Sequence, residues 1–589
     1  MHTQIPYDYY SVKPFCPPRG GIKQATENLG EFLTGDRIEN SPYQLYMEQD
    51  QFCKVLCESS LDEKDVDALK KIIREEYHAN WIIDNLPAAS IVDSEQYIIT
   101  AYAGGFPVGY TDRKKVAYLF NHVNIIVEYH PLDDGSRVVG FYVEPFTVEH
   151  KYEKKDGEDE DYTISTCDGT GPTVYESIAK KQEVKAGPIL FTYDVLWRAS
   201  PVKWASRWDI YLSMDNAVPD KVHWFSIVNS MLIVVFLSVM VAMIMIRNLN
   251  RDIVRYNRAL SEEEKAEERE ESGWKLVHAD VFRPPKYPLF FCVCAGTGLQ
   301  VLCCASVSIV FAVLGFLSPA NRGSLATAVL VLFATAGTVA GYGSARLYKT
   351  FKGRQWQHCT LCTAFAYPGL CFVAFLIFDS LLFFYGSTGA VPVASLLSLL
   401  ALWFGVSVPL VFLGAYLGYR QDPISFPVIT SNIPREIPMP QPWYLTPAFT
   451  VVVGGILPFG ACFVELFFIL SSMWLDQYYY VFGFTGLVFL ILIVTCCEIT
   501  IVLTYFQLCS ENYHWWWRSF LTSGSTAVYV FLYSCVYFSR LEADEWLTYV
   551  LYFGYMILVS IGLFVLTGAS GFFSTLWFTR KIYASIKVD

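Results

Sequence analysis

Residues 450–520 read TVVVGGILPFGACFVELFFILSSMWLDQYYYVFGFTGLVFLILIVTCCEITIVLTYFQLCSENYHWWWRSF. Two long apolar runs flank a short polar, aromatic turn. Each run carries one carboxylate near its middle, Glu465 in the first and Glu498 in the second. An apolar stretch of about 18 or more residues reads as a membrane-crossing helix. An acid inside it costs about 2.5–3.5 kcal/mol on insertion scales, so it marks a place to look for function. The stretch predicts a membrane hairpin with two embedded glutamates at different depths.

Working outward, the same apolar pattern recurs on both sides. Nine spans are expected, at 224–246, 289–317, 324–345, 359–385, 393–419, 448–472, 479–507, 519–539 and 549–577. The composition agrees: 53% of the 589 residues are hydrophobic, 17% are charged, and the mean hydropathy is +0.32. That balance belongs to a polytopic α-helical membrane protein. The net charge of −12 is concentrated before residue 224, and no basic stripe suggests nucleic acid.

Charge in the loops sets the expected orientation. Loop 247–288 is dense in basic residues from Arg247 to Lys286, and loop 346–356 adds Arg346, Lys349, Lys352 and Arg354. The alternate loops carry little beyond Arg322 and Arg540. Basic loops stay in the cytosol. The plan is then a lumenal β-rich domain at 1–223, a first transmembrane helix at 224–246 and a cytosolic loop at 247–288. An eight-helix transmembrane bundle at 289–577 and a cytosolic tail at 578–589 follow. The opening MHTQIPYDYYSVKPFCPP has no apolar signal core, so export implies a signal that was cleaved, trimmed or missed.

Within 1–223, residues 61–82 have helical periodicity, with Leu61, Val66, Leu69, Ile72 and Ile73 on one face. HVNIIVEYH, SRVVGFYVEPFTVEH and GPILFTYDVLWRAS then show partial alternation between Gly, Pro and Asp breaks. They predict a mostly antiparallel, sandwich-like β domain. Residues 151–162 read as a solvated loop. Cys16, Cys53, Cys57 and Cys167 allow two disulfides in three connectivities. The proline-rich segment 420–447 predicts an extended chain that lies on the membrane, binds a partner or simply connects.

Several stretches carry a family likeness: ENLGEFLTGDRIENSPY, YDVLWRASPVKWASRWDIYL, GWKLVHADVFRPP, SNIPREIPMPQPWY, FVELFFILSSMW, CCEITIVLTYFQLCSENYHWWWRSF and the terminal IKVD. With them the chain resembles the nonaspanins, also called the transmembrane nine superfamily or endomembrane protein 70 family. The resemblance implies a multi-pass protein of Golgi and endosomal membranes with no enzymatic activity and no cofactor. It implies a role in sorting membrane-protein cargo, notably cargo with glycine-rich membrane segments, and links to adhesion, phagocytosis and metal homeostasis. Lys587-Val588-Asp589 looks like the family's K-x-D retention signal, read by the COPI coat.

The other constellations each have a plain reading beside a functional one. Asp379, Glu465 and Glu498 are the clear intramembrane acids, with no Lys or Arg in the predicted spans. They line a polar path, or they join helices. Gly337/Gly341 and Gly414/Gly418 have G-x-x-x-G spacing, which suits close helix packing or capture of cargo helices. Cys359 and Cys362 lack a partner motif for zinc, and His514 with Trp515, Trp516 and Trp517 reads as interfacial anchoring. No H-E-x-x-H, Walker loop, G-x-S-x-G or dinucleotide fingerprint occurs. A sorting protein is the first expectation. The alternative is an ion, proton, metal or lipid transporter or channel that uses the three acids. Membrane lipids are expected partners in either case.

Overall fold

The computed structural model describes residues 5–25, 27–93, 100–133, 135–154, 162–167, 171, 180–209, 211, 220–256, 273–317, 323–474, 482–541 and 545–586. The chain first builds the expected mostly-strand domain. Its main sheet uses β1 (Gln51–Leu61), β2 (Ala89–Asp93), β3 (Thr100–Gly104), β4 (His122–Leu132), β5 (Gly135–Phe146) and β6 (Gly187–Ala199), in the order β1-β6-β4-β5-β2-β3.

The pairing is mostly antiparallel, as expected, but the main sheet also holds two parallel joins. β4 and β5 form a hairpin, but β4 runs parallel to β6, with His122 beside Thr192 and Asn124 beside Asp194. Among the described residues, four two-stranded ribbons flank this sheet in place of a second large stacked sheet. Alternation identifies a strand but not its neighbour. A parallel pair needs a long crossover, which the chain between β5 and β6 supplies.

Period-two alternation sends Val123, Ile125, Val127, Tyr193 and Val195 into one core with Phe141 and Val143. Helix α1 (Leu29–Thr34) lies ahead of the sheet, and α2 (Glu63–Arg74) packs against it. As the periodicity predicts, α2 buries Val66, Leu69 and Ile73 against Leu61, Leu119 and Phe191. Disulfides Cys16–Cys57 and Cys53–Cys167 choose one of the three connectivities.

Among the described residues, nine helices are long and apolar enough to cross a membrane, so this is a multi-pass membrane protein. The first span, Asp220–Tyr256, and the ninth, Trp546–Ala584, outrun their apolar stretches at the end far from the β domain. Hydropathy marks where the bilayer stops, and the backbone ladder continues past that point. The fifth span, Val393–Arg420, contains a π turn at Trp403–Ser407 just before Pro409. The wider turn accommodates the proline, which cannot donate to the ladder.

Much of the bundle interior is hydroxyl-rich rather than charged. Thr500, Thr567 and Thr575 are fully buried and donate to the carbonyl one turn earlier. Ser523 in the eighth span, Trp516–Phe538, crosses to Thr567 O in the ninth at 2.6 Å. Small residues let membrane helices approach closely, and local bonds satisfy these hydroxyls.

Candidate functional site

The three embedded acids meet three different environments. Glu498, in the seventh span (Phe482–Cys509), accepts from Ser238 Oγ of the first span at 2.9 Å. The bond ties the weakly packed first span to the bundle. Asp379, near the end of the fourth span (Trp356–Phe384), accepts from the Val391 N–H at 2.7 Å. It staples the turn that leads into the fifth span.

That turn receives the N-terminal domain. Thr388 N–H and Ser387 Oγ both donate to Pro6 O, at 3.1 and 2.8 Å, and Arg37 donates to Ala390 O. Beside it, α1 lies on Gly323 at the start of the third span (Ser324–Thr350). A Cβ at Gly30 would fall 1.9 Å from Gly323 O, so only glycine permits this approach. Lys71 reaches Glu545 at 2.6 Å as an exposed ion pair. Asp379 thus organises a docking turn.

Glu465 is different. It lies in the sixth span (Pro447–Trp474), is 2% exposed, and neither carboxylate oxygen has a hydrogen-bond partner among the described residues. One turn away, Cys462 packs with Val234, Val488 and Leu492, so the surroundings are apolar.

The four glycines line one helix seam. A Cβ at Gly341 would sit 2.0 Å from Val411 O, and one at Gly414 would sit 2.0 Å from Thr338 O. Gly418 lies against Tyr342 and Gly337 against Val411. All four close the third span onto the fifth. In this structure they present no free face to a cargo helix.

At the end far from the β domain, a cap is built from sequence that hydropathy had not ranked. Asp280, 3% exposed, accepts from Arg283 Nε at 3.0 Å and from the Arg435 N–H at 3.3 Å. Arg283 also donates to Ser431 O, and Arg435 to Glu511 at 2.7 Å. Trp515 Nε1 donates to Val281 O at 2.8 Å, and the Tyr583 hydroxyl donates to Trp274 O at 2.7 Å. Trp274 and Tyr505 both donate to Asp252 Oδ2.

Trp515 and Trp516 are 0% and 2% exposed, so they are core residues rather than interfacial anchors. Segment 420–447 is extended as expected, with Val428 buried and Ile424, Phe426 and Ile437 packed on the cap. Arg518 is a buried cation that the span boundaries hid. It donates to Thr450 Oγ1 at 2.9 Å and to Leu445 O. The one signal in the sequence was the set of motif stretches: 273–285, 431–444 and 511–520 are the pieces that meet here.

Other groups stay apart. Cys359 is buried and Cys362 partly so, both as free thiols. No cluster of three or more metal-ligating side chains occurs among the described residues. An apolar cavity of about 410 Å³ lies between the second span (Pro288–Val313), the third and the fourth, lined by Cys304, Ser308, Phe333 and Tyr367 among others. Lys587 and Asp589 lie outside the described residues, as does most of the loop at 151–162.

The endomembrane protein 70 family model matches residues 6–546. The chain belongs to this family. It is 52% identical to transmembrane 9 superfamily member 10 of Arabidopsis thaliana and 43% identical to transmembrane 9 superfamily member 4 of Homo sapiens. Each match covers 100% of this chain and 92% of the relative. It is also 44% identical, over the same shares, to "Putative phagocytic receptor 1a" of Dictyostelium discoideum. None of these three names is that of an enzyme. No solved structure matches. The cap, the docking turn and the third–fifth span seam are thus features of an endomembrane protein 70 chain.

Proposed function

We propose that this protein sorts membrane-protein cargo in Golgi and endosomal membranes. The N-terminal domain lies in the lumen and both the cap and the C-terminus lie in the cytosol. The observation that carries the reading is full-length membership of the transmembrane 9 superfamily. The orientation rests on the basic loops, which fall on the cap side.

The polar groups support a holding role over a conducting one. Asp379 and Glu498 hold a turn and a helix, and the first span leaves Leu232, Phe236 and Met243 facing outward as apolar surface. Such a span has free apolar surface for client helices beside the bilayer. The tail, Lys587 and Asp589, engages the COPI coat and returns the protein to the Golgi.

Deleting the protein should cut surface arrival of membrane proteins with glycine-rich spans, and the full chain should restore it. Unchanged arrival contradicts the reading. Replacing Lys587 and Asp589 with Ser and Asn should shift the protein out of the Golgi, and an unchanged location contradicts the retention claim.

A further inference from the structure

The β4/β6 pair carries a second buried polar system, away from the membrane. The parallel register places His122 beside Thr192 and Asn124 beside Asp194. Alternation puts all four on one face, opposite Val123, Ile125, Tyr193 and Val195. That face is not solvated. His122 and Asp194 are 0% exposed, Thr192 2% and His150 9%.

The side chains form a row. Thr166 Oγ1 contacts His150 Nδ1 at 2.8 Å, and His150 Nε2 contacts Thr192 Oγ1 at 2.9 Å. Thr192 Oγ1 contacts His122 Nδ1 at 2.7 Å, and His122 Nε2 contacts Asn124 Oδ1 at 3.0 Å. Asp194 Oδ2 lies 3.8 Å from His122 Nε2, and its Oδ1 accepts from the Cys53 N–H at 2.6 Å. Cys53 is disulfide-bonded to Cys167, the neighbour of Thr166.

The donors and acceptors fix the protonation pattern. Asn124 Oδ1 only accepts, so His122 carries its proton on Nε2 and accepts at Nδ1 from the Thr192 hydroxyl. The Thr192 oxygen then accepts from His150 Nε2–H, and His150 Nδ1 accepts from Thr166. Every step has one donor and one acceptor when both imidazoles are neutral. A proton added at His122 Nδ1 displaces the Thr192 hydroxyl hydrogen, while at His150 Nδ1 the Thr166 hydroxyl can turn to accept, so the cost there is that of a buried charge. We propose that this row is an acid-sensitive latch, which holds β4, β6, segment 147–150 and the Cys53–Cys167 corner together only while both histidines are neutral.

The charged and titratable groups around the row fit this. From β6, Asp194 faces His122. From segment 147–150, Glu149 turns away to pair with Lys180 at 2.6 Å. From β1, Glu58 accepts from the Tyr152 and Tyr162 hydroxyls. Burial pushes His150 down to about 4, and the adjoining His122 adds to the effect. Burial also lowers His122, against the opposing pull of Asp194.

Both folded values lie below the unfolded one near 6.5. The stabilisation is therefore complete above about pH 6.5 and is lost as pH falls from there toward 4. For His150 alone, going from pH 7.5 to 5.0 favours opening by roughly 30-fold. The Thr192–His122–Asp194 line resembles a nucleophile–base–acid series, but its burial leaves no room for a substrate.

Amide hydrogen exchange on the full chain in detergent, corrected for intrinsic rates, tests the latch. Amides of Cys53, Val148 and Thr192, bonded to Asp194, Asn121 and Asn121, should lose at least 10-fold protection between pH 7.5 and 5.0. His150→Gln should flatten that dependence, because its amide N–H still donates to Thr192. Should the variant fail to fold, imidazole C2-proton exchange on the wild type reads the titration directly and should place His150 below 5.5. Protection that stays flat with pH, or histidines titrating at 6.5 or above, overturns the proposal.

Discussion

The two ends of the bundle are built differently. At the cap end, segments 273–285, 431–444 and 511–520 interlock through buried tryptophans and the Asp280–Arg283 and Arg435–Glu511 pairs. At the other end, the N-terminal domain rests on Pro6, Gly30, Arg37 and Lys71, through main-chain hydrogen bonds and one exposed ion pair. A network that buries its donors and acceptors with large aromatic rings is expensive to open. Surface ion pairs and single backbone bonds are not. The contrast teaches that motion belongs to the domain side, with the cap as the fixed reference.

The largest expected effect breaks the fixed end. Trp515→Ala removes a fully buried ring and the donor to Val281 O, and should cost about 3–5 kcal/mol in thermal unfolding of the purified protein. A loss below 1 kcal/mol would show that the cap is not a core. Gly414→Leu drives a side chain into Thr338 O and should cost about 3 kcal/mol or destroy the third–fifth span seam. Disulfide trapping between cysteines placed in those two spans would read the seam. Undiminished trapping would contradict the close approach.

Smaller effects probe the joint. Asp379→Ala leaves the Val391 N–H without its acceptor and should cost about 1–3 kcal/mol. It should also raise protease cutting in 386–391, whereas unaltered cutting would leave the docking turn without its staple. Lys71→Ala should change stability by at most about 1 kcal/mol, because its side chain is largely exposed. A loss of several kcal/mol there would move the ion pair from decoration to the basis of docking.

Hydropathy made the membrane half legible, because nine apolar stretches leave little choice of fold. The helical face of residues 61–82 was legible for the same reason of periodicity. Strand partners were not, since alternation in HVNIIVEYH says nothing of a parallel neighbour 70 residues on. Alternation puts His122 and Asn124 on the face opposite Val123 and Ile125, yet both are buried. The cap was hidden because its residues are loop-like: proline-rich in 431–444 and mixed in 273–285. Their role is long-range, and only the motif likeness flagged them. Intramembrane acids could be located but not interpreted. Asp379 and Glu498 acquire meaning from partners more than 10 and 200 residues away, and Glu465 from the absence of one among the described residues.

The measurement that bears most directly on the two-ended account is native-state hydrogen exchange of the whole protein in a lipid nanodisc at neutral pH. Amides in 274–283 and 515–524 should rank among the slowest, and those in 28–38 and 386–391 should exchange at least 10-fold faster. Equal protection at the two ends, or a cap that opens first, would contradict it.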